Sequence, residues 1–429
     1  MSKHEMEYGD RFLSVELDKG VVLGSIGAKE VEKIANLPAK IIELLRKPIS
    51  SPPLDKIVRA KDTVVILAPD ITRLWSGPEQ FLPPLVDELN KIGVTDNQIT
   101  ILLGTGDHRT HTPQEVERLV TRDLMDRIEV FDHLAREKKE LTYLGETSRS
   151  NKVWINRRVM ESDKVILTGG IVYHFLTGFG GGPKALSIGV AGYDTIQVNH
   201  RLALGTPEQG INPKVQSGYV DGNPLRDDVI EIMKMAKAHF LLDTVINPQK
   251  EIAGVVAGDP LIAHLEGCRL AEDFFSIPTH LKGDMIVASA MGYPEDINLY
   301  QVYKAFDNIS RVTKPGGVIV LFAECRDGMG NDDFSHILRA FSSNTDRYNF
   351  LKENCTIGGL MGFGIALWAE RFKVVLYSSI SPKELENSGI QPVSSPQEAI
   401  AMGYDLAPDN PDIVLMPHSS VTFPVVEAD

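Results

Sequence analysis

Cysteine is nearly absent from this chain of 429 residues: Cys268, Cys325 and Cys355 stand far apart, with no CxxC pair among them. That spacing excludes a zinc ribbon and a disulfide framework, and it fits reduced thiols buried as small hydrophobes. Long apolar runs are missing as well; none approaches the ~18 residues of a membrane span. The opening segment, MSKHEMEYGDRF, lacks the apolar core of a signal peptide. The expectation is a cytoplasmic protein with no membrane partner. Basic residues are in deficit, 44 Lys and Arg against 58 Asp and Glu, for a formal net charge of −14. That balance speaks against a nucleic-acid partner, and an anionic substrate needs a local cluster of Arg and Lys.

What is present is regular. Apolar runs recur at TVVILAPD (63–70), ITILLGTG (99–106), KVILTGG (164–170), MIVASAMGY (285–293), VIVLFAEC (318–325), KVVLYSS (373–379) and DIVLMPHSS (412–420). Most are continuous rather than alternating, the pattern of strands covered on both faces. Helix-period segments such as PEQFLPPLVDELNKIG and PQEVERLVTRDLMDRI lie between them. The fold class expected is therefore α/β, two domains with mainly parallel sheets flanked by helices. A boundary in the region 268–283 divides a cofactor-binding and catalytic domain, 1–268, from an α/β domain, 269–429, that contributes substrate-binding residues. The terminal segment PHSSVTFPVVEAD is a candidate to pack back on the first domain. Ligands on parallel sheets sit beyond the carboxyl ends of the strands. The residues that carry chemistry fall there repeatedly, and the active site is expected in a cleft between the domains.

The densest such region is YHFLTGFGGGPKALSIGVAGYDTIQVNH, from Tyr173 to His200. Gly178, Gly180, Gly181 and Gly182 can let backbone N–H groups close around a phosphate, and Lys184 follows directly. The usual nucleotide motifs are not met. Pro183 and Ala185 flank Lys184 where a P-loop has Gly and Ser or Thr, and no dinucleotide fingerprint fits any register. An ammonium held among N–H dipoles is destabilised, so Lys184 is either a neutral, nucleophilic amine or a charged partner of the phosphate. His174 and His200 bracket the segment, and each could be a structural imidazole or a ligand. In GTGDHRTHTPQE, Thr112, Pro113 and Glu115 open a helix with a capping box. His108 and His111 just before it lean toward the neutral form. PDITRLW puts Asp70, Thr72 and Arg73 on another strand-end loop, as an ion pair or as a fork for a carboxylate. In GYPEDINLYQVYKAFD, Tyr300 and Lys304 share a helix face with Gln301 beside them.

Together DITR, the GxHRxxTxxE pattern, the His–Gly-rich–Lys–His block and GYPxDxNLYQxxK resemble the nickel-dependent lactate racemase family, and the likeness extends through TKPGGVIVLFAEC. The resemblance implies an isomerase with a nickel-pincer nucleotide, a pyridinium mononucleotide whose two sulfur-bearing arms bind nickel. It implies a covalent tether at Lys184 and a nickel ligand in His200. Asp70, Thr72 and the glycines would line the cofactor. His108 and His174 would be the acid/base pair, while Arg73, Tyr300, Gln301 and Lys304 would bind substrate. The implied reaction racemises a 2-hydroxy acid by proton-coupled hydride transfer through a planar 2-keto acid. Expected partners are the small hydroxy acid and the proteins that make the cofactor, with a homodimer as a candidate assembly.

Some positions depart from the family pattern. Pro183 stands where an arginine often precedes the tethering lysine, Ile188 where a proline is common, and Leu74 and Trp75 follow Arg73. These leave a longer or more polar hydroxy acid open beside lactate. Trp368 is a candidate aromatic cover for the substrate. Two other readings stand beside this one: a non-catalytic carrier of the same nucleotide, and a nicotinamide-dependent 2-hydroxy acid dehydrogenase.

Overall fold

Apolar runs without polar alternation need cover on both faces of a sheet, and each of the seven becomes a sheet strand. The protein, a computed structural model describing residues 2–427, divides into two compact units. One comprises residues 30–203 and 214–274; the other takes the N-terminal stretch to Lys29, Leu204–Pro213 and the chain from Phe275 on.

In the first unit a six-stranded sheet runs in the order Ile252–Gly258, Phe240–Ile246, Lys164–Ile171, Val64–Pro69, Ile99–Gly104, Glu129–Asp132. All neighbours are parallel except the antiparallel edge strand Ile252–Gly258. Successive residues serve opposite faces. Val64, Ile66 and Ala68 join a core with Phe81, Leu82 and Leu85 from the helix Pro78–Ile92, whereas Val65 and Leu67 join another with Leu186, Ile196 and Ile232. Two-sided burial is why the period-2 signal vanished from the sequence. The segment PQEVERLVTRDLMDRI forms two helices, Pro113–Val120 and Arg122–Arg127, because Thr121 takes a positive φ of 75° and breaks the ladder.

The second unit has a six-stranded, wholly parallel sheet in the order Ile390–Val393, Lys373–Tyr377, Thr313–Phe322, Gly283–Ser289, Asp412–Met416, Val21–Ser25. Its last strand comes from the N-terminus, so the expected division differs from the observed one. Val21–Ser25 pairs with Asp412–Met416, and the hairpin Ser2–Tyr8/Arg11–Leu17 packs Met6, Tyr8, Val15 and Leu17 against Met285, Val287 and Phe322. The 268/269 cut falls inside the helix Ile262–Phe275. The terminal segment also differs from expectation. Phe423–Val426 pairs with Ser276–Thr279, inside its own unit.

A buried carboxylate organises the loop after Gly283–Ser289. Asp296, fully buried, accepts the backbone N–H of Gly9 and that of Glu324 on one oxygen, each at 2.8 Å. Two positions on, Asn298 caps the helix Leu299–Ser310 by accepting the Gln301 N–H at 2.9 Å. Asp296→Ala strands two buried donors and is expected to cost about 2–4 kcal/mol in urea unfolding. Asp296→Asn, which keeps an acceptor, should cost far less; equal losses would show that the hydrogen bonds are not what matters.

His133, on the strand-end loop after Glu129–Asp132, donates from Nε2 to the Ala191 carbonyl at 2.8 Å and accepts from Asn156 at Nδ1. Burial lowers its pKa from 6.5 to about 4. Between these values the unfolded chain binds a proton that the folded chain refuses. Stability is therefore full above pH 6.5 and falls as the pH drops through the window. His133→Gln should flatten that acid slope in urea midpoints measured against pH, and an unchanged slope would exclude His133 as a source.

Candidate functional site

Three neighbouring parallel strands, Lys164–Ile171, Val64–Pro69 and Ile99–Gly104, end in the loops that carry His174, Asp70–Arg73 and His108. Asp70 is 1% exposed and gathers donors from both sides. It accepts from Thr72 Oγ1 at 2.7 Å and Arg73 at 3.1 Å on one oxygen, and meets His108 Nδ1 at 2.5 Å on the other. Burial alone would raise its pKa. The His108 hydrogen bond and the Arg73 charge reverse that and take it down to about 2. Asp70 is thus ionised, His108 donates to it from Nδ1, and Nε2 is the nitrogen able to accept a proton.

His111, which the sequence set beside His108, has a positioning role. It contacts Asp132 through Nδ1 at 2.5 Å and accepts the Ile71 N–H at Nε2, at 3.0 Å. An imidazole that accepts at one nitrogen and donates from the other is neutral, and this one pins the Asp70 loop to the neighbouring strand end.

His174 lies in a two-residue pairing of Tyr173–His174 with Gly178–Phe179. Its Nδ1 accepts the N–H of Leu176 at 3.2 Å and of Thr177 at 3.4 Å, so the ring proton belongs on Nε2. Nε2 is 2.6 Å from Lys184 Nζ. A hydrogen bond in that sense requires the lone pair of a neutral amine. Burial and the nearby Arg73 charge push the Lys184 pKa well down, with Asp70 opposing them. The tautomer calls for an uncharged lysine, and the direction of the electrostatics favours one.

His200, on the helix Tyr193–Arg201, is 4% exposed, and its Nδ1 has no hydrogen-bond partner. Burial is the leading cause that brings its pKa down to about 3. A neutral, buried imidazole with an orphan nitrogen fits a missing electrophile such as a soft metal.

The glycine loop is held from beneath by residues the sequence reading missed. Gly181 and Gly182 have φ of 72° and 55°, and a Cβ on either would collide, with Asp243 Oδ2 at 2.7 Å and with the His264 ring at 2.2 Å. Asp243 accepts the Gly182 N–H at 2.7 Å, and His264 Nε2 donates to the Gly180 carbonyl at 2.9 Å. Burial raises the Asp243 pKa to about 7. The Gly182 amide is therefore committed to protein, and its share in a phosphate cradle is shape. One signal was visible: an acid in the middle of the apolar strand Phe240–Ile246.

Tyr300, Gln301 and Lys304 lie in the other unit, on the first turns of Leu299–Ser310. Leu299, Val302, Tyr303 and Phe306 form the buried face, the Tyr300 ring meets Phe334 edge-on, and Lys304 lies 3.8 Å from Glu295. Trp368 packs with Tyr303 and Phe306 in an aromatic cluster. No helix among the described residues is long and apolar enough to cross a membrane.

Residues 8–212 match the model of the lactate racemase N-terminal domain, and residues 279–422 that of the lactate racemase C-terminal domain. A lactate racemase of Lactiplantibacillus plantarum is 29% identical over 78% of this chain and 77% of its own length. One from Thermoanaerobacterium thermosaccharolyticum is 31% identical over the same shares. The solved lactate racemase apoprotein from the latter organism superimposes with a TM-score of 0.88 at 26% identity, covering 100% of both chains. A Thermotoga maritima protein shares the fold at 18% identity, with a TM-score of 0.66 over 93% of this chain and 100% of its own. Two domain matches that together take in most of the chain, with relatives of this similarity, place it: the chain belongs to the lactate racemase family of isomerases.

Proposed function

We propose that the protein racemises lactate or a closely related 2-hydroxy acid, with a nickel-pincer nucleotide tethered at Lys184 and His108 and His174 as the acid/base pair. The observation that carries the reading is the Lys184–His174 contact, which holds an amine neutral beside a glycine loop. His200 offers a buried neutral imidazole, with an unpartnered Nδ1, as a ligand for nickel. Among the described residues no three His, Cys, Asp or Glu side chains cluster as metal ligands, so this would be a single protein ligand completing a metal held by the cofactor. Once bound, the nucleotide supplies a hydride acceptor and donor.

Everything else is the work of this chain. The α-hydrogen of a 2-hydroxy acid is poorly acidic next to a carboxylate, so the proton to be moved is that of the hydroxyl. His108 Nε2 can accept it while ionised Asp70 stabilises the imidazolium. An amide-type nitrogen has no basic lone pair, so a tethered Lys184 would no longer accept from His174, and that ring would be free to move its proton between its two nitrogens and so serve the opposite enantiomer. Arg73, steadied by Asp70, holds the substrate carboxylate, and Tyr300, Gln301 and Lys304 remain the other candidates for substrate binding. A carrier of the same nucleotide would not need the paired histidines or the Asp70–His108 contact.

Denatured intact mass should show a nucleotide-sized adduct on protein co-expressed with the cofactor-making proteins, and none on Lys184→Ala. Unmodified protein despite verified cofactor production would overturn the tether. His108→Gln and His174→Gln should keep the adduct and lose lactate racemisation by about 100-fold or more, followed by polarimetry or chiral chromatography. Full activity in both would remove the acid/base assignment.

A further inference from the structure

Arg226, on the helix Pro224–Ala236, is buried to 4% exposure and forms no ion pair with an acid among the described residues. Its guanidinium donates to His264 Nδ1 at 3.4 Å and lies against the Cys268 thiol. Neither group returns a charge. His264 is neutral because burial lowers its pKa to about 3 and its Nδ1 accepts from Arg226 while Nε2 carries the proton given to the Gly180 carbonyl, and burial pushes the Cys268 thiol up to about 12. Asp227 and Asp221 act on it only through their charges, without an ion pair, and the acids along the helix are engaged elsewhere. Asp227 pairs with Arg149 at 2.9 Å, and Asp228 accepts from Thr147, Asn151 and Asn199. Burial accordingly lowers the pKa of Arg226 itself. An uncompensated buried charge is expensive to keep in any fold.

Arg226 lines one small cavity together with Thr177, Gly181, Lys184 and His264. This is the inner side of the glycine loop, where the Gly182 amide is already used by Asp243 and cannot help neutralise an anion. Lys184, held as a neutral amine by His174, supplies no positive charge either. A phosphate at this loop needs a cation, and the buried Arg226 makes no ion pair among the described residues. We propose that Arg226 is the charge partner of the nucleotide phosphate at the glycine loop, an inference that rests on the cofactor reading above. The guanidinium spends stability in the empty protein, and the phosphate returns it on binding. Arg226 would then discriminate a nucleotide from the corresponding nucleoside, leaving recognition of the ring to the other groups.

The test is a binding cycle on the apoprotein that needs no racemase activity. Nicotinic acid mononucleotide and nicotinic acid riboside, which differ only by the phosphate, are titrated calorimetrically into wild type, Arg226→Gln and Arg226→Lys. Wild type should prefer the mononucleotide by about tenfold or more. Arg226→Gln should bring the two probes close to parity with riboside binding unchanged, and Arg226→Lys should recover part of the preference. A preference retained in Arg226→Gln would overturn the assignment of Arg226 and leave the nucleotide site standing. Equal loss of both probes in Arg226→Gln, with no recovery in Arg226→Lys, would reduce Arg226 to a structural residue. Failure of wild type to bind either probe would overturn the nucleotide site itself, and Arg226 with it.

Discussion

A carboxylate with almost no solvent remains ionised only if protein donors replace the water it has lost. Asp70 meets that condition with donors from two separate strand ends, Thr72 and Arg73 on its own loop and His108 on the next. The requirement ties the two loops into one object. It also sets the chemistry, because the nitrogen that His108 commits to Asp70 decides which nitrogen is left to take a proton. His111 repeats the device one shell out, bridging Asp132 and the Ile71 amide, so the Asp70 loop is held by hydrogen bonds on both sides. Parallel-sheet topology brings these strand ends side by side; the buried charge turns adjacency into geometry.

Around that anion the site runs short of water and of counter-charge, and its basic groups respond by giving up protons. Lys184, His200 and His264 all have lowered pKa values, with burial as the leading cause. Asp243 goes the opposite way for the same reason, since burial penalises whichever form is charged. The outcome is a pocket floor with little charge, in which backbone partners fix the tautomers of His174 and His264. Such a floor suits a large, polar, anionic ligand that brings its own charge. Two buried atoms there, Nδ1 of His200 and Oδ1 of Asp243, have no hydrogen-bond partner among the described residues.

Legibility in the sequence followed the range of each interaction. The seven apolar strands, the Thr112–Glu115 capping box and the i, i+4 pair of Tyr300 and Lys304 depend on neighbours in the chain and could be read directly. The Asp70, His108 and His174 loops were recognisable because a strand's carboxyl end is a local feature. The clamp under the glycine loop was hidden: Asp243 and Gly182 are 61 positions apart, and His264 and Gly180 are 84 apart. Nothing in FLLDTVI says which loop its acid will meet. The N-terminal strand was hidden for a related reason. Val21–Ser25 joins a sheet whose other strands all come from the far end of the chain, and no periodicity reports a partner at that distance.

The departures from the family pattern can be weighed by where they pack. Leu74 lies against the apolar core of the first unit, and Trp75 covers Gly170, where a Cβ would come within 2.7 Å of the indole. Trp75 and Gly170 are therefore a matched pair, and enlarging either means shrinking the other. Pro183, at φ −53° and ψ −25°, starts the short helix Lys184–Ser187, and its carbonyl accepts both the N–H and the hydroxyl of Ser187 at 3.0 Å. An arginine there would add charge beside Lys184, whereas proline adds stiffness and no charge. Ile188 precedes Gly189, whose Cα sits close to Gly104 and whose carbonyl accepts the Gly106 N–H at 2.9 Å, joining the lysine segment to the His108 loop. Each substitution thus has a packing or backbone consequence that holds the lysine and the loops in place.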